Sequence, residues 1–327
     1  MLVLASLTAG CEQGFRPWRD PSKHRVEFVT VEDNVRLEVL DWGGTGRPVV
    51  LLAGLGNTAH VFDDFAGKLS GGFRVYGITR RGFGVSSRPG SGYTAQRLAD
   101  DVAHVLDSLK LVAPVLVGHS IAGEELTLLG AQHSDQIAGL VYLDAVADLT
   151  LDFSAYDALR RKLPAALRDR PSPSGSDLTS FQAYRDWQVR TLGFAFPEAE
   201  LRNDFDSGPN GKVGRYRTDG SIFKAIRGGV QKRDYSKIHV PVLAFFAVPR
   251  SAIDPRHPYQ PKDTHERDAI EEVHAADLSY INRYKESLQS GVPGARVFEL
   301  LGADHYVFLS NEADVLRELR AFVAGLH

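Results

Sequence analysis

The sequence predicts an α/β fold with a mostly parallel central sheet flanked by helices, and three patterns predict it. Short apolar runs alternate with stretches of helical periodicity, as successive β-α-β units require. Runs such as Pro48–Ala53 are apolar without interruption, as expected of strands buried on both faces. The first two extended stretches instead alternate apolar and polar residues around a two-residue turn, which reads as an antiparallel hairpin at a sheet edge.

Taken in order, Val26–Val31 is the first strand, Asp33–Asn34 the turn and Val35–Leu40 the second strand. Gly43, Gly44 and Gly46 break the chain before the apolar strand from Pro48. A helix is expected near Thr58–Leu69, then a strand at Phe73–Ile78 and the Gly-rich loop Arg81–Ser86. Leu98, Val102, Val105, Leu106 and Leu109 share one face of a helix between Thr94 and Lys110. Val115–Val117 is a strand that ends in Gly118-His119-Ser120, and a helix follows at once through Gln132. Ile137–Ala145 is the sixth strand. The alternation then stops. Residues 147–238 hold a Pro/Ser-rich stretch at Pro171–Ser176, amphipathic pieces at Phe153–Leu163 and Phe181–Leu192, and frequent aromatics. The sheet pattern resumes with a strand near Val240–Ala247. A long helix near His265–Leu288, a strand at Arg296–Leu301 and a last helix near Asn311–Ala324 complete it.

The 327 residues are 43% hydrophobic and 24% charged, an ordinary globular balance. A net charge of -3, with no basic run interleaved with aromatics, sets nucleic-acid binding aside. No phosphate-cradling Gly-rich loop and no His/Cys cluster at metal-ligand spacing is present, so no cofactor or metal is expected. The partner expected is a small-molecule substrate.

A strand turning sharply into a helix can hold one side chain at its apex if small residues flank it. Gly118, Ala122 and Gly123 flank Ser120 in this way. The stretch resembles the nucleophile elbow of the α/β-hydrolase superfamily. Ala122 stands where that family usually has its second glycine. The Arg81-Gly82-Phe83-Gly84-Val85-Ser86 loop is similar to the family's R-G-x-G-x-S loop, and the order of elements matches over nearly the whole chain. The resemblance implies an α/β-hydrolase core at residues 25–146 and 239–327, with residues 147–238 a helical cap inserted after the sixth strand.

A serine hydroxyl needs a base within hydrogen-bond reach, and the base needs an orienting acid. The resemblance implies that Ser120 is the nucleophile. His305, in Gly302-Ala303-Asp304-His305 after the last strand, then becomes the base. Asp304 is discounted because adjacent side chains point apart. The family's usual place for the acid, after the seventh strand, falls near Arg250, which cannot serve. Asp254 lies a little further on, and Asp144 ends the sixth strand, where some family members carry their acid. Asp144 is preferred to Asp254. The oxyanion hole is expected from the backbone N–H groups of Ile121 and Leu55, each donor contributing ~3 kcal/mol to transition-state stabilisation. Glu124 and Glu125 read first as favourable charges in a helix's first turn, with Glu124 a lesser candidate for the floor of the site.

The implied activity is cleavage of a carboxylic ester through an acyl-enzyme. Amide, lactone and carbon–carbon bond hydrolysis stay open because one triad serves them all. A non-enzymatic small-ligand binder on the same fold is the rival class.

The one cysteine, Cys11, ends an apolar, small-residue run from Met1 that is too short to span a bilayer. That run resembles a bacterial lipoprotein signal. It implies an exported protein with a lipid anchor at Cys11 and a linker through residue 24, or a cytoplasmic protein if the segment is not a signal.

Overall fold

A computed structural model describes residues 18–169 and 171–326. The expected lipid attachment at Cys11 lies outside the described residues. Among those described, no helix is long and apolar enough to cross a membrane.

The chain opens with the hairpin β1 (Arg25–Glu32) and β2 (Val35–Gly43), paired antiparallel. Asn34 takes a positive φ of 62° in the turn between them. β3 (Pro48–Leu52) follows, then a 3-10 turn at Ala59–Phe62 that runs into α1 (Asp63–Leu69), then β4 (Arg74–Ile78). α2 (Ala95–Ser108) is capped by the Thr94 hydroxyl, which accepts from the Arg97 N–H. β5 (Val115–His119), α3 (Gly123–Gln132) and β6 (Gly139–Leu143) complete the first half.

An insert then carries α4 (Ser154–Lys162), α5 (Ala165–Arg168), α6 (Phe181–Leu192), α7 (Glu198–Asp204), β7 (Phe205–Ser207), β8 (Val213–Tyr216) and α8 (Gly220–Gly228). The sheet resumes with β9 (Val242–Val248), α9 (Thr264–Gly291) and β10 (Arg296–Leu301), and the chain closes with α10 (Val307–Ser310) and α11 (Glu312–Ala324).

Eight strands form one sheet in the order β1-β2-β4-β3-β5-β6-β9-β10. It is parallel from β4 to β10 and antiparallel at the β1–β2–β4 edge. Side chains alternate across it as strand geometry demands. Val50, Leu52 and Leu116 pack with α2, α3 and α9 on one face, while Val49, Leu51, Val115 and Val117 pack with α1 and α11 on the other. Each such fully buried aliphatic side chain stabilises the fold by about 1.5–3 kcal/mol. The uninterrupted apolar runs of the sequence are therefore the central strands, with both faces covered.

Two expectations need correction. The insert is not wholly helical, because β7 and β8 pair antiparallel within it. The expected linker also reaches less far than residue 24, since residues from Trp18 onward pack on the folded unit. Arg202 of α7 lies over the Trp18 ring at 4.7 Å, and His24 bonds Asp63 of α1 at 2.9 Å.

Candidate active site

The site sits at the carboxyl edge of the sheet, where parallel α/β folds gather their ligand-binding groups. Ser120 is the first residue past β5 and takes a φ of 57°, a left-handed conformation that a non-glycine residue adopts only under constraint. The constraint is the tight packing of the turn on its own helix and on the segment after β6. A Cβ on Gly118 would meet Leu126 at 2.9 Å, and one on Gly123 would come within 1.9 Å of the Ala145 carbonyl oxygen. Ala122 is fully buried and accommodated. Gly123 is thus the position where a side chain is excluded.

Three side chains meet at the edge. Ser120 Oγ lies 2.9 Å from His305 Nε2, and His305 Nδ1 lies 2.6 Å from Asp144 Oδ2. Asp144 leaves β6 with a positive φ of 48°, and its Oδ1 accepts from the Ala247 N–H of β9 at 3.0 Å. The acid is thereby fixed by the neighbouring strand. A carboxylate accepts only, so Nδ1 carries the ring proton and Nε2 presents its lone pair to the serine.

Asp254 is elsewhere. Its carboxylate takes Arg256 Nε and Nη2 and the Arg256 backbone N–H, and this pairing holds its pKa below the usual carboxylate range. Asp304 caps locally by accepting from the Tyr306 N–H.

The Gly54–Leu55 turn lies against the serine. A Cβ on Gly54 would sit 3.2 Å from Ser120 Cβ and 2.7 Å from His119 Nδ1, so only glycine allows this approach. Arg80 holds the turn from below, donating to the carbonyls of Ala53 at 3.0 Å and Gly54 at 3.3 Å. The Arg80 guanidinium is itself neutralised by buried Glu125, with Nε donating at 2.8 Å. Ile121 stands at the start of the helix after the serine, its side chain packed with Phe83, Tyr93 and Ile222 and, more loosely, with Leu55. Glu124 has a structural partner, because Arg233 Nε donates to it at 3.0 Å.

One residue of the site was not singled out in the sequence. His119 is fully buried, with Nε2 3.0 Å from the His305 carbonyl oxygen and its ring packed at a tilt against His305 and Tyr306. A carbonyl cannot donate, so Nε2 carries the proton and Nδ1 is left without a partner among the described residues. Burial and the nearby His305 ring keep the His119 pKa well below the ordinary imidazole value. A neutral His119 therefore ties the loop bearing His305 to the elbow. The only signal was its place as the middle residue of Gly-x-Ser.

A cavity of about 200 Å³ opens beside the Leu55 turn, lined mainly by Tyr184, Phe196, Phe205, Tyr216, Tyr306 and Asp204. A larger one of about 450 Å³ lies behind the His305 loop, around Pro249–Ser251 and Gly302–Ala303, and neither cavity is lined by Ser120, His305 or Asp144 themselves. The insert forms one wall of the smaller cavity. Glu200 of α7 accepts from Asn57 Nδ2 at 2.8 Å and from the Thr58 N–H at 3.0 Å, and the Tyr216 hydroxyl donates to the Gly56 carbonyl.

Asp204 lies one turn on from Glu200, and its backbone carbonyl accepts from the Arg217 N–H at 2.8 Å. Burial, and then the charge of Glu200, push its pKa well above the carboxylate range. A carboxyl whose folded pKa is raised while the unfolded chain ionises near 3.9 costs stability as pH rises above that value. Asp204→Asn is therefore expected to raise Tm at pH 7 and to flatten its fall between about pH 4 and 7. Thermal unfolding of both proteins across that range checks it, and an unchanged slope contradicts it.

Residues 49–318 match the family model described as the alpha/beta hydrolase family. The 2-(acetamidomethylene)succinate hydrolase of Mesorhizobium japonicum is 28% identical over 160 residues, 49% of this chain and 53% of that protein. A bifunctional esterase/perhydrolase of Acinetobacter calcoaceticus is 34% identical over 127 residues, 37% of this chain and 45% of that protein. The chain thus spans about half the length of the curated relatives it matches. The crystal structure of an E-2-(acetamidomethylene)succinate hydrolase superposes with a TM-score of 0.67 at 19% identity. It covers 92% of this chain and 100% of that one, a likeness of fold.

Proposed function

The chain belongs to the alpha/beta hydrolase family, and from that premise we propose that it is a serine hydrolase cleaving a carboxylic ester through an acyl-enzyme at Ser120. The observation that carries the reading is the hydrogen-bonded line from Ser120 Oγ through His305 to Asp144. His305 Nε2 takes the hydroxyl proton as Oγ attacks the carbonyl carbon. The oxyanion is met by the N–H groups of Ile121 and Leu55, each contributing ~3 kcal/mol. His305 then gives the proton to the departing alkoxide. Water, deprotonated by the same nitrogen, releases the acid and restores the serine.

The insert acts in this reading as a cap. Its aromatic side chains line a pocket of about 200 Å³ that reaches the Leu55 turn and Tyr306, the neighbour of His305, and a pocket of that size suits an acyl group of a few carbons. The similarity to an esterase/perhydrolase is consistent with an ester substrate. The expected result is turnover of p-nitrophenyl acetate and butyrate, falling for long acyl chains, with the matching anilides at least about 100-fold slower. A folded protein that turns over neither short ester contradicts the proposal and favours a binding protein.

A further inference from the structure

A second cluster of chemically capable side chains lies where the chain enters the fold, apart from the serine. Asp20 and His24, from the segment before β1, meet His60 and Asp63, from the turn and helix after β3, with one donor atom of each within 4.8 Å of all the others. His24 Nδ1 is 2.9 Å from Asp63 Oδ1, and His60 Nδ1 is 3.1 Å from Asp63 Oδ2. Asp20 Oδ2 is 3.6 Å from His60 Nδ1 and from His24 Nε2. The His24, His60 and Asp63 side chains are only 4%, 5% and 2% exposed, and Asp20 at 26% leaves one way in from solvent.

From these distances we propose that the cluster is a structural binding site for a divalent transition metal, zinc in the first place. Donors about 2.1 Å from a tetrahedral ion are about 3.4 Å apart, and within one donor set Asp20 Oδ2 lies 3.6 Å from His24 Nε2 and from His60 Nδ1 while His60 Nδ1 lies 3.1 Å from Asp63 Oδ2, separations that bracket that value. Two imidazoles and two carboxylates are a borderline N/O set suited to zinc or cobalt rather than calcium or magnesium. Two carboxylates with two neutral imidazoles also balance a charge of 2+, which a buried ion requires.

The supporting shell is present as well. A metal-bound histidine usually donates its other N–H to a carboxylate. His60 Nε2 faces Glu38 Oε1 at 3.5 Å, and Trp42 Nε1 donates to Asp63 Oδ1 at 2.9 Å. With all four positions supplied by protein, the ion would be closed to substrate and would staple the entering chain to the turn that follows the Leu55 loop. Sequence spacing hides the site because its two pairs come from segments separated by the whole β1–β3 stretch.

The test uses the full chain without an affinity tag, stripped of metal by a chelator and then titrated with Zn²⁺ alone and Co²⁺ alone. One zinc retained per chain after gel filtration, a raised Tm and the visible absorption of tetrahedral Co²⁺ are expected. His24→Gln should weaken zinc binding at least about 100-fold and abolish the cobalt bands. Turnover of p-nitrophenyl ester by the metal-free variant should match that of metal-free wild type. Asp20→Asn makes the same test at a part-exposed ligand should His24→Gln fail to fold. No Tm change and no cobalt band in the wild type overturns the proposal, leaving a His–Asp hydrogen-bond network. Equal zinc affinity in the variant also overturns it.

Discussion

Ser120→Ala is expected to lower kcat for ester hydrolysis by about 10⁴-fold or more while the protein stays folded. The loss is chemical. The alanine keeps Cβ in the same left-handed backbone position and removes only Oγ, whose one described partner is His305 Nε2 at 2.9 Å. No buried group is left without a hydrogen bond that the fold needs, so Tm should move by no more than a degree or two. Rate measurements at saturating p-nitrophenyl butyrate, with unfolding followed by circular dichroism, check both halves. A folded variant of near-full activity would remove Ser120 from the mechanism.

Asp144→Asn should be nearly as severe, about 10⁴-fold in kcat, and Asp254→Asn nearly silent. The reason lies in what else Asp144 holds. Its Oδ1 accepts from the Ala247 N–H. An asparagine that keeps this bond must turn its NH₂ toward His305 Nδ1. The ring then has to offer a lone pair there and carry its proton on Nε2, facing Ser120 as a donor rather than a base. Shape is preserved while the tautomer is inverted. Asp254 lies in an Arg256 clamp at the surface, and neutralising it touches none of the three meeting side chains. Kinetics on the two variants side by side separate the readings, and a larger loss in Asp254→Asn would contradict this one.

The parts of the site that were legible in the sequence are those set by one β-α unit. Gly118, Ala122 and Gly123 reveal the elbow because small residues must flank a side chain at the apex of so sharp a turn, a pattern written within nine residues even though the group that excludes a side chain at Gly123 is the Ala145 carbonyl after β6. His305 was legible from its place between the last strand and the closing helices, and Arg250 argued the acid away from its usual loop. The central strands could be read because burial on both faces leaves continuous apolar runs.

The insert resisted reading. α7 and the β7–β8 hairpin are short, and what positions them comes from distant segments. Glu200 is fixed by Asn57 and Thr58, and Tyr216 by Gly56, pairings that no local periodicity encodes. The role of His119 was hidden for the same reason, since its partner is a backbone carbonyl 186 residues away. Trp18 and His24 looked like linker because their contacts, with Arg202 and Asp63, likewise lie far along the chain.

The central claim is that Ser120 carries the acyl group, and intact-protein mass spectrometry after rapid acid quench of a p-nitrophenyl ester reaction tests it most directly. The account predicts one added acyl mass per chain, located by peptide mapping to the segment bearing Ser120. That mass should be absent from Ser120→Ala and should build up far more slowly in Asp144→Asn. An acyl group mapped to any other residue, or brisk turnover by Ser120→Ala, would contradict it.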